Sequence, residues 1–362
     1  PTQWYNIQAE MKNKPMPMIN PATKEPVTVD DLSHVFAREC CVQELDQEHA
    51  WIDIPEEIQE KYRMYRSTPL VRAYELEKAL GTPAHIYFKN ESVNPLGSHK
   101  VNSAIAQAYY CKQEGTTNVT TETGAGQWGA ALSYAAKVYG LECAVYQVKI
   151  SMSQKPYRSA IMRTFGAAVT GSPSMSTRAG KDIITKDPMH PGSLGTAISE
   201  AVELATTTPN CKYTLGSVLS HVTLHQSIIG LEAEKQMQMA GEYPDIVIGC
   251  FGGGSNFGGI SFPFMRHNIT GEKNTRFIAA EPASCPKLTQ GKFEYDFGDE
   301  ACYTPMIPMY TLGHKFKPAN IHAGGLRFHG AGAIVSQLLK DGMMEAVDIP
   351  QTESFKSGML FA

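Results

Sequence analysis

Asn118-Val-Thr-Thr-Glu-Thr-Gly-Ala-Gly-Gln127 is a β-rich run that ends on an acid, crosses a Gly-Ala-Gly turn and enters a helical stretch from Gln127 to Tyr139, closed by Gly140. The unit recurs on either side. His85 to Lys89 reads as a strand, followed by the turn Asn94-Pro-Leu-Gly-Ser-His-Lys100 and a helix in which Val101, Ala104, Ile105 and Ala108 fall on one face until Gly115. Leu141 to Val148, Ala167 to Thr170, Asp245 to Cys250 and Arg276 to Ala280 supply further strands, with helices over Gln154 to Phe165 and Ser227 to Met239 between them. Strand and helix alternating in this way require crossover connections, hence parallel sheets covered by helices: the class is α/β. In such folds ligands sit at the carboxyl ends of the strands. Residues 1 to about 65, rich in Pro and acids, read as an extension packed on the body, with a helix over Pro55 to Met64.

The 362 residues, 42% hydrophobic and 19% charged, suit two domains with a cleft between them. A net charge of -4 offers no basic excess for a nucleic acid. No apolar run approaches the roughly 18–20 residues of a membrane helix, and the first residues lack the pattern of a signal peptide, so a soluble cytoplasmic protein is expected. Eight cysteines without a Cys-x-x-Cys spacing point to reduced thiols. The last residues, with Phe355, Met359 and Leu360, open an amphipathic helix without a cap, and the chain is expected to continue past Ala362.

Three strand-to-helix turns carry chemistry. Lys100 lies at a helix start, where partial positive charge disfavours ammonium and a neutral amine can form a Schiff base; taken alone it also reads as a solvated surface lysine. Phe251-Gly-Gly-Gly-Ser-Asn256 precedes a helix from Phe257 and looks like a phosphate cup, with a plain glycine-rich turn as the bland alternative. Thr123 to Gln127 can hold a carboxylate on backbone N–H groups, with Glu122 as an acid/base beside it. His221 and His225 share a helix face, but the Glu of a zinc motif is absent and packing or hydrogen bonding is expected, with no metal.

These residues, together with Trp4-Tyr-Asn6, Ser67-Thr-Pro-Leu70, Gly97-Ser-His-Lys100, Glu122-Thr-Gly-Ala-Gly-Gln-Trp128, Pro191-Gly-Ser-Leu-Gly195, Gly252-Gly-Gly-Ser-Asn256 and His322-Ala-Gly-Gly-Leu326, resemble the pyridoxal-phosphate-dependent tryptophan synthase β chains over nearly the whole chain. Trp128, where the ordinary β chain has histidine, favours the second type of that family. The resemblance implies fold type II: two doubly wound parallel-sheet domains with pyridoxal phosphate between them, usually as a homodimer. The expected division is residues 1–65 with 99–222, holding the extension and a mobile subdomain, against 66–98 with 223–362, the cofactor-binding domain.

By the same resemblance Lys100 holds the cofactor and moves the Cα proton, and Glu122 assists loss of the β-substituent and activation of indole. His99, Gly252, Gly253, Gly254, Ser255 and Asn256 match the phosphate-binding set, and Glu281 matches an acid close to the cofactor ring. Thr123, Gly124, Ala125 and Gln127 match the loop that grips the amino acid carboxylate. Arg327 stands where the ordinary β chain has aspartate near the serine hydroxyl, which would suit the phosphate of O-phosphoserine; a structural ion pair is the alternative. The family also implies a monovalent cation, whose ligands the sequence does not place, and a serine facing the pyridine nitrogen, for which no counterpart is found up to Ala362. The implied reaction joins indole to L-serine, or O-phosphoserine, to give L-tryptophan. Its rivals are a serine/threonine dehydratase-like enzyme, against which Glu122 argues, and a non-catalytic paralogue that only binds. Whether a tryptophan synthase α chain docks stays open; without one, indole would be salvaged from solution.

Overall fold

The computed structural model describes residues 1–319 and 325–362. Strands Asn118–Thr123, Glu142–Val148, Ala168–Ser172 and Cys211–Tyr213 form a parallel sheet in which Asn118–Thr123 lies between Glu142–Val148 and Cys211–Tyr213. Helices Gln127–Tyr139 and Leu194–Thr207 pack against it, and every residue from Val119 to Thr123 is buried, so both faces of this strand are covered. A second parallel sheet places Arg276–Pro282 between Ile246–Cys250 and Glu345–Ile349. Its edge strand Ile246–Cys250 alternates instead: Val247 is buried beneath the helix Ser255–Ile269, whereas Ile246 and Ile248 are 46% and 63% exposed.

Three antiparallel pairs complete the strands among the described residues: Gln3–Tyr5 with Trp51–Asp53, Leu70–Arg72 with Tyr87–Lys89, and Lys292–Phe297 with Met306–Thr311. The extension packs as expected, with Trp4, Ile58 and Tyr62 in one core with Val101, Ile105 and Leu132. Leu70 and Tyr87 pack instead on the core of the second sheet, around Phe251, Phe257 and Phe277.

One expectation needs correction. The strand before Lys100 belongs to neither parallel sheet; it covers Tyr87–Lys89 and turns back, through the helix Tyr74–Leu80, on Leu70–Arg72. The helix expected from Gln154 to Phe165 covers Pro156–Thr164; a separate short helix, Lys149–Gln154, precedes it, and Pro156, which has no N–H to continue the first, suits the opening turn of the second. All eight cysteines are free. No helix among the described residues is long and apolar enough to cross a membrane.

Candidate active site

The carboxyl end of Ile246–Cys250 and the starts of helices Val101–Gln113, Gln127–Tyr139 and Ser255–Ile269 surround a cavity of about 240 Å³. Lys100, His99, Gln127, Gly252, Gly253, Ser255 and Asn256 are in its wall. Asn94 builds the turn that presents the lysine: its side-chain oxygen accepts from the N–H groups of Leu96 and Ser98, and its amide donates to the carbonyls of Glu91 and Ser98. The Lys100 ammonium donates to the Gly216 carbonyl at 2.7 Å. Burial brings this amine down to about 8, against the pull of Glu122 and Cys250 in the other direction. Near neutral pH the lysine therefore has an accessible neutral form, which an ordinary lysine lacks.

Gly254 opens the helix Ser255–Ile269 at φ +130°, a conformation that favours glycine, and no side chain caps that helix. Its first-turn N–H groups, with partial positive charge, are left without a side-chain acceptor. Ser255 Oγ lies 3.1 Å from His99 Nε2, and burial first, then Lys100, pushes His99 down to about 3, so the imidazole stays neutral.

Glu122 lies behind this wall, buried, and burial raises its carboxyl to about 7. Tyr213 donates its hydroxyl to Oε2. Next to it Trp128 Nε1 donates to Thr121 Oγ1 at 2.6 Å, and the Trp128 ring lies so close to Gly216 that a Cβ there would meet it at 2.4 Å. The ring thus fixes the carbonyl that receives Lys100.

A profile of the family described as "Pyridoxal-phosphate dependent enzyme" matches residues 62–362. Tryptophan synthase beta chain 2 of Thermotoga maritima is 52% identical over 362 residues, covering 100% of this chain and 85% of that relative. Tryptophan synthase beta chain 2 of Methanosarcina mazei is also 52% identical, covering 100% and 82%. The chain belongs to the tryptophan synthase β chain family. It is a pyridoxal-phosphate-dependent lyase that makes tryptophan. Among solved structures it is similar to maize serine racemase (TM-score 0.55, 18% identity, 82% of this chain and 77% of that one) and to a threonine deaminase from T.th. (TM-score 0.55, 18% identity, 81% and 82%), which establishes the shared fold alone.

The residues present fit the cofactor of this family. An uncapped helix start with Ser255, Asn256 and a neutral His99 suits its phosphate, and a buried amine of lowered basicity suits its aldehyde. Other expected residues sit elsewhere. Of the expected carboxylate loop only Gln127 reaches the cavity wall; Thr123 Oγ1 accepts the Gly129 N–H, and Gly124 and buried Ala125 lie behind, with Leu194 3.5 Å from where a Gly124 Cβ would be. Glu281 is fully buried with Lys287, outside the wall. Arg327 follows Leu326 of the wall but directs its guanidinium to the carbonyls of Pro318 and Ala319. His322 to Gly324 lie outside the described residues. His221 and His225 pair with Glu44, and with Gln43 and Ser103, respectively.

Sequence reasoning missed Cys250, Ser217 and Tyr213. Cys250 could have been found, since it is the last residue of a strand whose carboxyl end faces the cavity. The other two follow or belong to Cys211–Tyr213, three residues too short for any periodic signal.

Proposed function

We propose that this chain joins indole to L-serine, releasing water, with Lys100 and Glu122 as its two proton-transfer groups. The observation that carries the reading is this pair: a buried amine brought down to about 8 and a buried acid raised to about 7, close enough to influence each other. Bound pyridoxal phosphate supplies an electron sink for the electrons of the broken Cα–H bond. Lys100 Nζ takes the Cα proton and returns it to Cα once the new bond to Cβ has formed. Glu122 gives a proton to the departing β-hydroxyl and then accepts the one indole loses as its C3 bonds to Cβ, so the acid ends as it began. Gln127 and the start of its helix receive the amino acid carboxylate, and the turn Gly252 to Asn256 with His99 holds the phosphate. The placement of one parallel sheet within residues 99–222 and the other within 223–362 supports the division into 1–65 with 99–222 and 66–98 with 223–362. We further infer a cytoplasmic homodimer that takes indole from solution; light scattering and the absence of any rate change on adding an α chain test these points.

Product analysis of the holoenzyme with serine, with and without indole, tests the reaction. Tryptophan with indole is expected, lost in Lys100→Ala and Glu122→Gln; pyruvate alone, unaffected by indole, overturns it. O-phosphoserine is a second donor to test through Arg327, which follows directly on the cavity wall at Leu326 while its guanidinium donates to the Pro318 and Ala319 carbonyls. Faster turnover of O-phosphoserine than of serine, reduced in Arg327→Ala, is expected on that reading; equal or slower turnover, unchanged in the variant, removes it.

A further inference from the structure

Glu122 has few partners for a buried carboxyl. Two hydroxyls come near Oε2, those of Tyr213 and Thr121, the latter at 3.4 Å. A hydroxyl has one proton to give, and Thr121 has a much better acceptor in the Thr214 carbonyl at 2.6 Å, while its own oxygen already accepts from Trp128 at 2.6 Å. Tyr213 is thus the one strong side-chain donor to Glu122 among the described residues, and no side-chain donor among them reaches Oε1. The phenol is held in place: Tyr213 is buried, its ring lies 5.4 Å from that of Phe36, and it ends the strand Cys211–Tyr213, whose Tyr213 pairs with Thr120, two residues before Glu122.

We propose that Tyr213 is a positioning residue for the reaction, tying Oε2 of Glu122 so that Oε1 is the oxygen that gives and takes the proton. The inference rests on the reading of Glu122 as proton donor and acceptor. The bond survives either protonation state, since the phenol donates to Oε2 of the carboxylate and, when Oε1 carries the proton, to the carbonyl oxygen Oε2 of the acid. It is stronger to the carboxylate, because a hydrogen bond to an ionised group is roughly twice as strong as a neutral one. Tyr213 therefore sets how readily Glu122 ionises as well as where its proton sits, in opposition to the burial that raises the carboxyl.

The experiment is the pH dependence of tryptophan formation by the holoenzyme, alongside an infrared titration of the same protein in which the Glu122 carboxyl band is identified by its loss in Glu122→Gln. Tyr213→Phe is expected to move both the alkaline limb of kcat and the infrared midpoint upward by about one pH unit, with KM for serine changed less than about twofold. Replacing Tyr213 by 3-fluorotyrosine, a stronger donor of nearly the same shape, is expected to move both downward. A role in packing alone predicts neither shift nor their opposite signs. Should Tyr213→Phe fail to fold, the fluorinated protein still decides. An infrared midpoint unmoved in the variants that fold overturns the inference. Activity retained in Glu122→Gln overturns instead the reading on which it rests, while the infrared titration still reports whether Tyr213 governs this carboxyl.

Discussion

Each parallel sheet carries a buried glutamate near the carboxyl end of an inner strand, and the two have opposite surroundings. Glu281, in Arg276–Pro282, meets the Lys287 ammonium at 3.4 Å, the N–H groups of Leu288 and Thr289 at 2.9 to 3.1 Å, and the Thr289 hydroxyl at 2.9 Å. Glu122, in Asn118–Thr123, has a phenol and no ion-pair partner among the described residues. Burying a carboxylate is costly unless donors and a cation replace the lost water. Glu281 has both and is held in place by them. Glu122 lacks the cation, and desolvation holds it near the point where it can exchange a proton at neutral pH. The same side chain at equivalent places is ion-paired in one sheet and left without a cation in the other, and the difference lies in what the following segment supplies.

The largest expected effect separates activity from stability. Glu122→Gln keeps shape and an acceptor for Tyr213 but moves no proton, so kcat for tryptophan formation should fall by about 10²- to 10⁴-fold with little change in Tm. Glu281→Gln should instead lower Tm, with activity following the folded fraction. Loss of kcat at unchanged Tm in Glu281→Gln would break the contrast and return Glu281 to the cofactor's surroundings. Next in size is Lys287→Met. It removes the cation and leaves the Glu281 carboxylate buried without it, a loss of about 3–5 kcal/mol that urea unfolding would measure. A loss under about 1 kcal/mol would mean that the Leu288 and Thr289 donors suffice by themselves.

The pH dependence of stability sharpens the same comparison. Glu122 is raised from 4.5 to about 7 in the folded protein, so between these values the native state holds a proton that the unfolded chain has released. Its contribution is complete below pH 4.5 and is lost as pH rises through about 7. Lys100, lowered from 10.5 to about 8, has the reverse sense: stability rises between pH 8 and pH 10.5 as the unfolded chain loses the proton the native state has already given up. Unfolding curves across pH should show the first slope disappear in Glu122→Gln and the second in Lys100→Ala.

The turns were legible in the sequence because glycine and strand-to-helix order have local causes. The helix Gln127–Tyr139 falls where its periodicity and closing glycine put it, and His99, Lys100 and the turn from Gly252 to Asn256 meet at one cavity. What surrounds the two glutamates was not legible. Tyr213 is 91 residues from Glu122 and reaches it only because Cys211–Tyr213 adds to the far edge of the sheet. Lys287 lies six residues from Glu281, but nothing in Glu281-Pro-Ala-Ser-Cys-Pro-Lys287 announces that the chain folds back to bury that amine. A strand end is a local property, and the charge balance around it is a tertiary one.

The smallest effect tests whether the contrast extends from the acids to the strands that carry them. In the sheet covered on both faces Val145 is 1% exposed, and Val145→Ala removes two methyl groups from a packed core beside Gly129 and Met162, an expected loss of roughly 2 kcal/mol. On the second sheet Ile248 is 63% exposed, so Ile248→Thr, which keeps the β-branch, should change stability by no more than about 0.5 kcal/mol in denaturant unfolding of this chain. If Ile248→Thr costs as much as Val145→Ala, then this face is covered in solution, and the second sheet is buried on both sides as parallel sheets ordinarily are. If the two differ as expected, the proposed catalytic acid stands on the sheet whose inner strand is covered on both faces, and the glycine turn proposed to receive the phosphate stands on the one whose edge strand gains little from its outer face.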